Sequence, residues 1–148
     1  YAQGQSPETS DGVIADHMYD GQRSTMFDAT FVTGGSHITT LSKNGQLRFW
    51  IVESFGHLKA LGATGEACDF IKQVLGKALD VRLASPTSAE TVEWYGVVTA
   101  ATPKPESFKE GFQVAKAAKD FVGQFFYQVS LHRNYQRELD GLSSALDW

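Results

Sequence analysis

Apolar residues recur at intervals of three and four after residue 64, where Ala67, Phe70, Ile71, Val74, Leu75 and Ala78 share one face and Glu66, Asp69, Lys72, Gln73 and Lys77 the other. That spacing predicts an amphipathic helix capped by Thr64 and ending near Leu79. A longer stripe comprises Phe108, Phe112, Ala115, Ala118, Val122, Phe125, Phe126 and Val129, with Lys109, Gln113, Lys116, Asp120 and Gln124 opposite. Ser107 and Glu110 form a capping box at its start, which predicts a helix from there to about residue 139, closed by Gly141. Residues 142–148 then predict a short terminal turn. Between the two, Thr87 and Glu90 make another capping box ahead of Val92, Trp94, Tyr95, Val97 and Val98. This predicts a further helix, although β-branched and aromatic residues also suit a strand.

The segment Ser36-His-Ile-Thr-Thr-Leu-Ser-Lys-Asn-Gly45-Gln-Leu-Arg-Phe-Trp-Ile-Val52 supports two patterns. As a hairpin turning at Asn44-Gly45, it pairs Leu41 with Arg48 and Thr39 with Trp50, and neither face is cleanly apolar. As helices, Phe27, Phe31, Ile38 and Leu41 form one stripe, Gly45 follows the helix, and Leu47, Trp50, Ile51, Ser54, Leu58 and Leu61 form a second stripe ending at Gly62. The helical pattern is tidier, at about 1 kcal/mol each for Gly34 and Gly35 inside a helix. The resulting fold class is mostly α: a small helical bundle whose long C-terminal helix is the spine. The alternative is an α+β domain with an N-terminal antiparallel hairpin around Asn44-Gly45.

Residues 3–12 contain no apolar side chain, so residues 1–12 are expected to be a flexible leader and 13–148 a single α-rich domain. Val13, Ile14, Met18 and Tyr19 predict a turn or two of helix before Asp20-Gly21. The 148 residues are enough to bury a core. With 13 Lys+Arg against 17 Asp+Glu and a net charge of −4, no basic cluster predicts nucleic acid or an anionic membrane as partner. No apolar run approaches the ~20 residues of a membrane span. Tyr1-Ala2-Gln3 fits the end of a signal cleavage site, which predicts a periplasmic or secreted protein, with the cytoplasm as the alternative.

Candidate chemistry is sparse. Glu53 and His57 lie one helical turn apart, but two ligands do not make a metal site and the HExxH spacing is absent. A surface pair is the expectation there, and for Asp16, His17 and Asp20; His37 and His132 stand alone in sequence. Gly34-Gly35-Ser36-His37 lacks the GxSxG context of a nucleophilic serine, and no phosphate-binding glycine motif occurs. The lone Cys68 is expected to be a buried helical side chain. No catalytic residue, cofactor or metal is assigned.

Adjacent aromatics cannot all face one core, so Phe49-Trp50, Trp94-Tyr95 and Phe125-Phe126-Tyr127 leave some rings at its edge. Trp50, Trp94, Tyr95 and Tyr127 are the candidate surface for a protein partner or a small apolar ligand. The functional expectation is an exported, non-enzymatic binding or protein–protein interaction domain, since no catalytic pattern is discernible in its residues; a small metal-dependent or hydrolytic enzyme using His and carboxylate groups is the alternative.

Overall fold

A computed structural model describes residues 16–85, 90–101 and 108–146. Two short 3-10 turns, Tyr19–Gly21 and Ser24–Met26, lead into β1 (Ala29–Val32), α1 (Ile38–Leu41), α2 (Gly45–Gly56) and β2 (Ala60–Thr64). These are followed by α3 (Glu66–Leu75), β3 (Thr91–Trp94), β4 (Val97–Ala100), α4 (Phe108–Ser130) and α5 (Gln136–Leu139). The strands form one sheet in the order β1-β2-β4-β3, in which β1, β2 and β4 are parallel and β3 is antiparallel to β4. This is an α/β architecture. It corrects both the helical bundle and the alternative with a hairpin at Asn44-Gly45.

The reason lies in the composition of the parallel strands. Strands covered on both faces need no alternation of apolar and polar residues. Ala60-Leu-Gly-Ala-Thr64 and Val97-Val-Thr-Ala100 are therefore short continuous apolar runs, which periodicity cannot distinguish from pieces of helix. Leu58 and Leu61, placed on the predicted second stripe, lie beyond the end of α2, with Leu61 inside β2. Phe31, placed on the first stripe, lies in β1.

Asn44-Gly45 starts a helix. The Asn44 side chain accepts a hydrogen bond from the Leu47 N–H at 3.1 Å, so Asn44 is the N-cap and Gly45 the first helical residue, not the residue after a helix. The true hairpin joins β3 and β4, where Trp94 faces Val97 and Tyr95 and Gly96 both adopt positive φ, 48° and 77°. Such a two-residue loop matches the twist of its flanking strands. The helix predicted after Glu90 is thereby replaced by strands. The capping residues Thr87 and Ser107, the leader, Val13, Ile14 and Trp148 lie outside the described residues, as do the side chains of Phe108, Phe112 and Ala115.

α2 and α3 pack together on one face of the sheet, where Ile51, Phe55, Phe70, Ile71 and Leu75 meet Leu61, Ala63 and Val97. The α3 prediction holds residue by residue for Ala67, Phe70, Ile71, Val74 and Leu75. α4 covers the opposite face through Phe121 and Phe125, which meet Val98 and Ala100. There a Cβ on Gly62 would stand 2.8 Å from the Phe125 ring. The long helix stops at Ser130, and His132 turns left-handed (φ 64°) before α5.

Candidate functional site

In open parallel sheets, ligands gather beyond the carboxyl ends of the strands. At that end of β1 and β2, two turns meet. The Gly34 N–H donates to Thr64 Oγ1 at 3.2 Å, and the Gly35 N–H donates to Glu66 Oε2 at 2.8 Å. A Cβ on Gly34 would lie 2.6 Å from the Thr64 carbonyl oxygen, so the approach of the two turns demands glycine there. Gly65 has φ 54° and ψ −129°, a conformation costly for a residue with a side chain, and its N–H donates to the Ala100 carbonyl at 2.9 Å.

A strained strand-to-helix turn of this kind presents the nucleophile in GxSxG enzymes. Here the position is Gly65 and offers no side chain. Cys68, one turn into α3, is buried, with its thiol 3.6 Å from both the Ala63 and Ala100 carbonyls. Burial pushes that thiol up to about 11 against the opposing effect of the Ala100 hydrogen bond, so it stays protonated and unreactive at neutral pH. His37 is exposed and its Nε2 lies 3.1 Å from the Thr33 carbonyl. The Glu66 carboxylate already takes the Gly35 donor. The turns satisfy each other and hold the sheet end closed.

The amino ends of β2 and β4 are organised by Arg137, which no sequence pattern singled out. Its side chain is fully buried. Nε donates to the Tyr95 carbonyl, and Nη1 donates to the carbonyls of Phe55 (3.0 Å) and Lys59 (2.9 Å). The guanidinium also lies over the Phe55 ring, 4.2 Å from its centroid. Burial lowers its pKa, to about 9, while the charge of Glu93 raises it; the group is charged at neutral pH. Nearby, Asn134 N–H donates to the Leu58 carbonyl at 2.8 Å and Tyr95 Oη donates to Asp140 Oδ2 at 2.6 Å. That bond raises Tyr95 above its ordinary pKa and lowers Asp140 below its own.

The four candidate surface aromatics do not converge. Trp50 is half-buried beside β1, donating from Nε1 to Thr30 Oγ1 at 3.1 Å and packing on Phe27 at 5.6 Å. Trp94 and Tyr95 meet edge to face at 5.2 Å on the β3–β4 hairpin, and Trp94 stacks on Phe55. Tyr127 is exposed on α4, across the sheet from α2. Glu53 and His57 also part: Glu53 is buried and accepts from the Ser24 N–H and hydroxyl. Among the described residues, no group of three or more His, Cys, Asp or Glu side chains is placed to hold a metal ion. His132 instead sits 4.0 Å from Asp28.

The fold is that of an α/β protein with helices on both faces of a mostly parallel sheet. No protein-family profile matches the chain. Among characterised proteins, it is 65% identical to Catalase A of Aspergillus fumigatus and to Catalase A of Emericella nidulans, each over 147 residues and 99% of this chain. It is 49% identical over 131 residues to Catalase-1 of Neurospora crassa. The chain spans only 20% of the length of the two Catalase A proteins and 17% of Catalase-1. These relatives carry the names of enzymes. They overturn the expectation of a non-enzymatic binding or interaction domain and the lean against an enzyme, because identity at this level runs along nearly the whole chain.

Proposed function

We propose that the chain is an α/β unit of a longer catalase-type enzyme, and that the complete polypeptide converts hydrogen peroxide to water and dioxygen. The observation that carries this reading is the 65% identity to Catalase A proteins across 99% of the chain, of which it forms a fifth. Peroxide disproportionation needs a redox-active group to pass electrons between two peroxide molecules. The described residues do not suit one: the histidines lie apart, Cys68 is a buried protonated thiol, and the turn at Gly65 carries no side chain. In this reading the unit contributes folded structure, and the reacting groups come from the rest of the polypeptide.

The test is to follow peroxide loss and oxygen release with three proteins: the complete polypeptide, the same polypeptide without these 148 residues, and the 148-residue chain alone. The complete polypeptide is expected to be active, the isolated chain inactive, and the shortened polypeptide to lose activity faster on heating. A complete polypeptide that leaves peroxide untouched overturns the catalase reading. Activity in the isolated chain overturns the assignment of the reacting groups elsewhere.

A further inference from the structure

β1 is the terminal strand at one side of the four-stranded sheet. Among the described residues, β1 pairs only with β2. Exposed edges are normally blunted by charge, proline or a bulge. Ala29-Thr-Phe-Val32 has no charged residue or proline, and its four residues pair with Ala60–Ala63 in unbroken register. A groove of about 340 Å³ follows the strand from Phe27 past all four residues to His37, with Trp50 and Leu41 in its wall. A second hollow of about 320 Å³ extends it past Tyr19 and Met18. Phe27 and Phe31 remain 36% and 46% exposed beside this edge.

We infer that this edge is occupied in the complete enzyme by a β-strand from the part of the polypeptide outside these 148 residues. The inference rests on the catalase reading above, which leaves about four-fifths of the polypeptide to supply the strand. Strand addition supplies main-chain hydrogen bonds, while alternate apolar side chains fill the flanking groove. Residues 3–12 of this chain have no apolar side chain with which to do so. The added strand covers Phe27 and the exposed side of Phe31 and continues the sheet away from β2. Trp50 then becomes part of an internal wall, its Nε1 still held by Thr30.

The complete polypeptide, carrying a benzophenone side chain at Phe27, is irradiated and the adduct mapped by mass spectrometry. Amide exchange across residues 29–32 is measured in parallel on the unsubstituted protein. The expected result is an adduct outside these 148 residues together with slow exchange at all four consecutive amides, since both edges of β1 are then paired. An adduct within residues 1–15, an adduct on β1 of a second copy, or protection at alternate amides without any adduct overturns the inference. Peroxide loss is assayed on the same unsubstituted preparation. An inactive protein refutes the catalase reading, whereas an active one with an unpaired β1 edge refutes the added strand alone.

Discussion

The two ends of the sheet are closed by opposite means. At the carboxyl ends, short backbone segments come so close that only glycine fits, and the donors of one turn are taken up by Thr64 and Glu66 of the next. At the amino ends, one long cation reaches from α5 to three carbonyls, two of them some 80 residues earlier in the chain, at Phe55 and Lys59. The first end depends on the absence of side chains, the second on one side chain that nothing smaller can replace. A buried charge is tolerated there because carbonyl dipoles and an aromatic face take the place of water.

The largest expected effect comes from the arginine. Arg137→Ala leaves three carbonyls without their donor, each loss costing ~1 kcal/mol or more, so unfolding in urea should show a loss of about 3–5 kcal/mol. Arg137→Lys should recover only part of this, because an ammonium lacks the planar fork. A loss no greater than that of an exposed substitution would remove the arginine from its role as a clamp.

At the carboxyl end, the thiol of Cys68 should react with iodoacetamide at pH 8 at least ~100-fold more slowly in the folded protein than in urea, since burial suppresses both thiolate and access. Comparable rates would mean that this end opens far more readily than its contacts imply. Gly34→Ala comes next: a methyl group forced against the Thr64 carbonyl should cost about 1–3 kcal/mol. A neutral outcome would show that the two turns can separate without penalty, and the contrast between the ends would then fail.

The smallest effect concerns Tyr95 and Asp140. Asp140 is lowered in the folded state, so its contribution is complete above its ordinary value of 3.8 and is lost as pH falls through the lowered one. Tyr95 is raised, so its contribution is complete below 10 and is lost as pH rises through the raised value. A spectrophotometric titration should show one tyrosine ionising late, and Asp140→Asn should return it toward 10. An unchanged titration in that variant would show that the hydrogen bond is not maintained in solution.

Parts of this architecture are legible in the residues. The face of α3 follows from apolar spacing, because that helix packs one side against the sheet, whereas the stripe read for α4 gives its course but not its face: Val122 and Phe126 are exposed, and Phe121, outside the stripe, is the buried ring. The burial of Cys68 follows from its residue type and place on α3. Gly34 and Gly35 are visible as a backbone peculiarity, but their partners, Thr64 and Glu66, look like any polar residues near the start of a helix. Arg137 gives no signal, since a charged residue between Gln136 and Glu138 reads as solvated surface. Trp50, Trp94, Tyr95 and Tyr127 stand out as aromatics in the sequence, yet the fold places them on different parts of the surface, Tyr127 exposed on α4.

By itself, the sequence determined where α3 and most of α4 run, because an amphipathic helix records its buried side in every third or fourth residue. Its 65% identity to the Catalase A proteins is likewise a property of the sequence, spread along the chain. Only the tertiary structure decided that Ala60–Thr64 and Val97–Ala100 are neighbouring strands, and that β1 pairs, among the described residues, only with β2. A strand buried on both faces carries no alternation, and its partner is chosen by packing between segments distant in the chain. For the same reason the clamp at Arg137 exists only once α5, the hairpin and the end of α2 have been brought together.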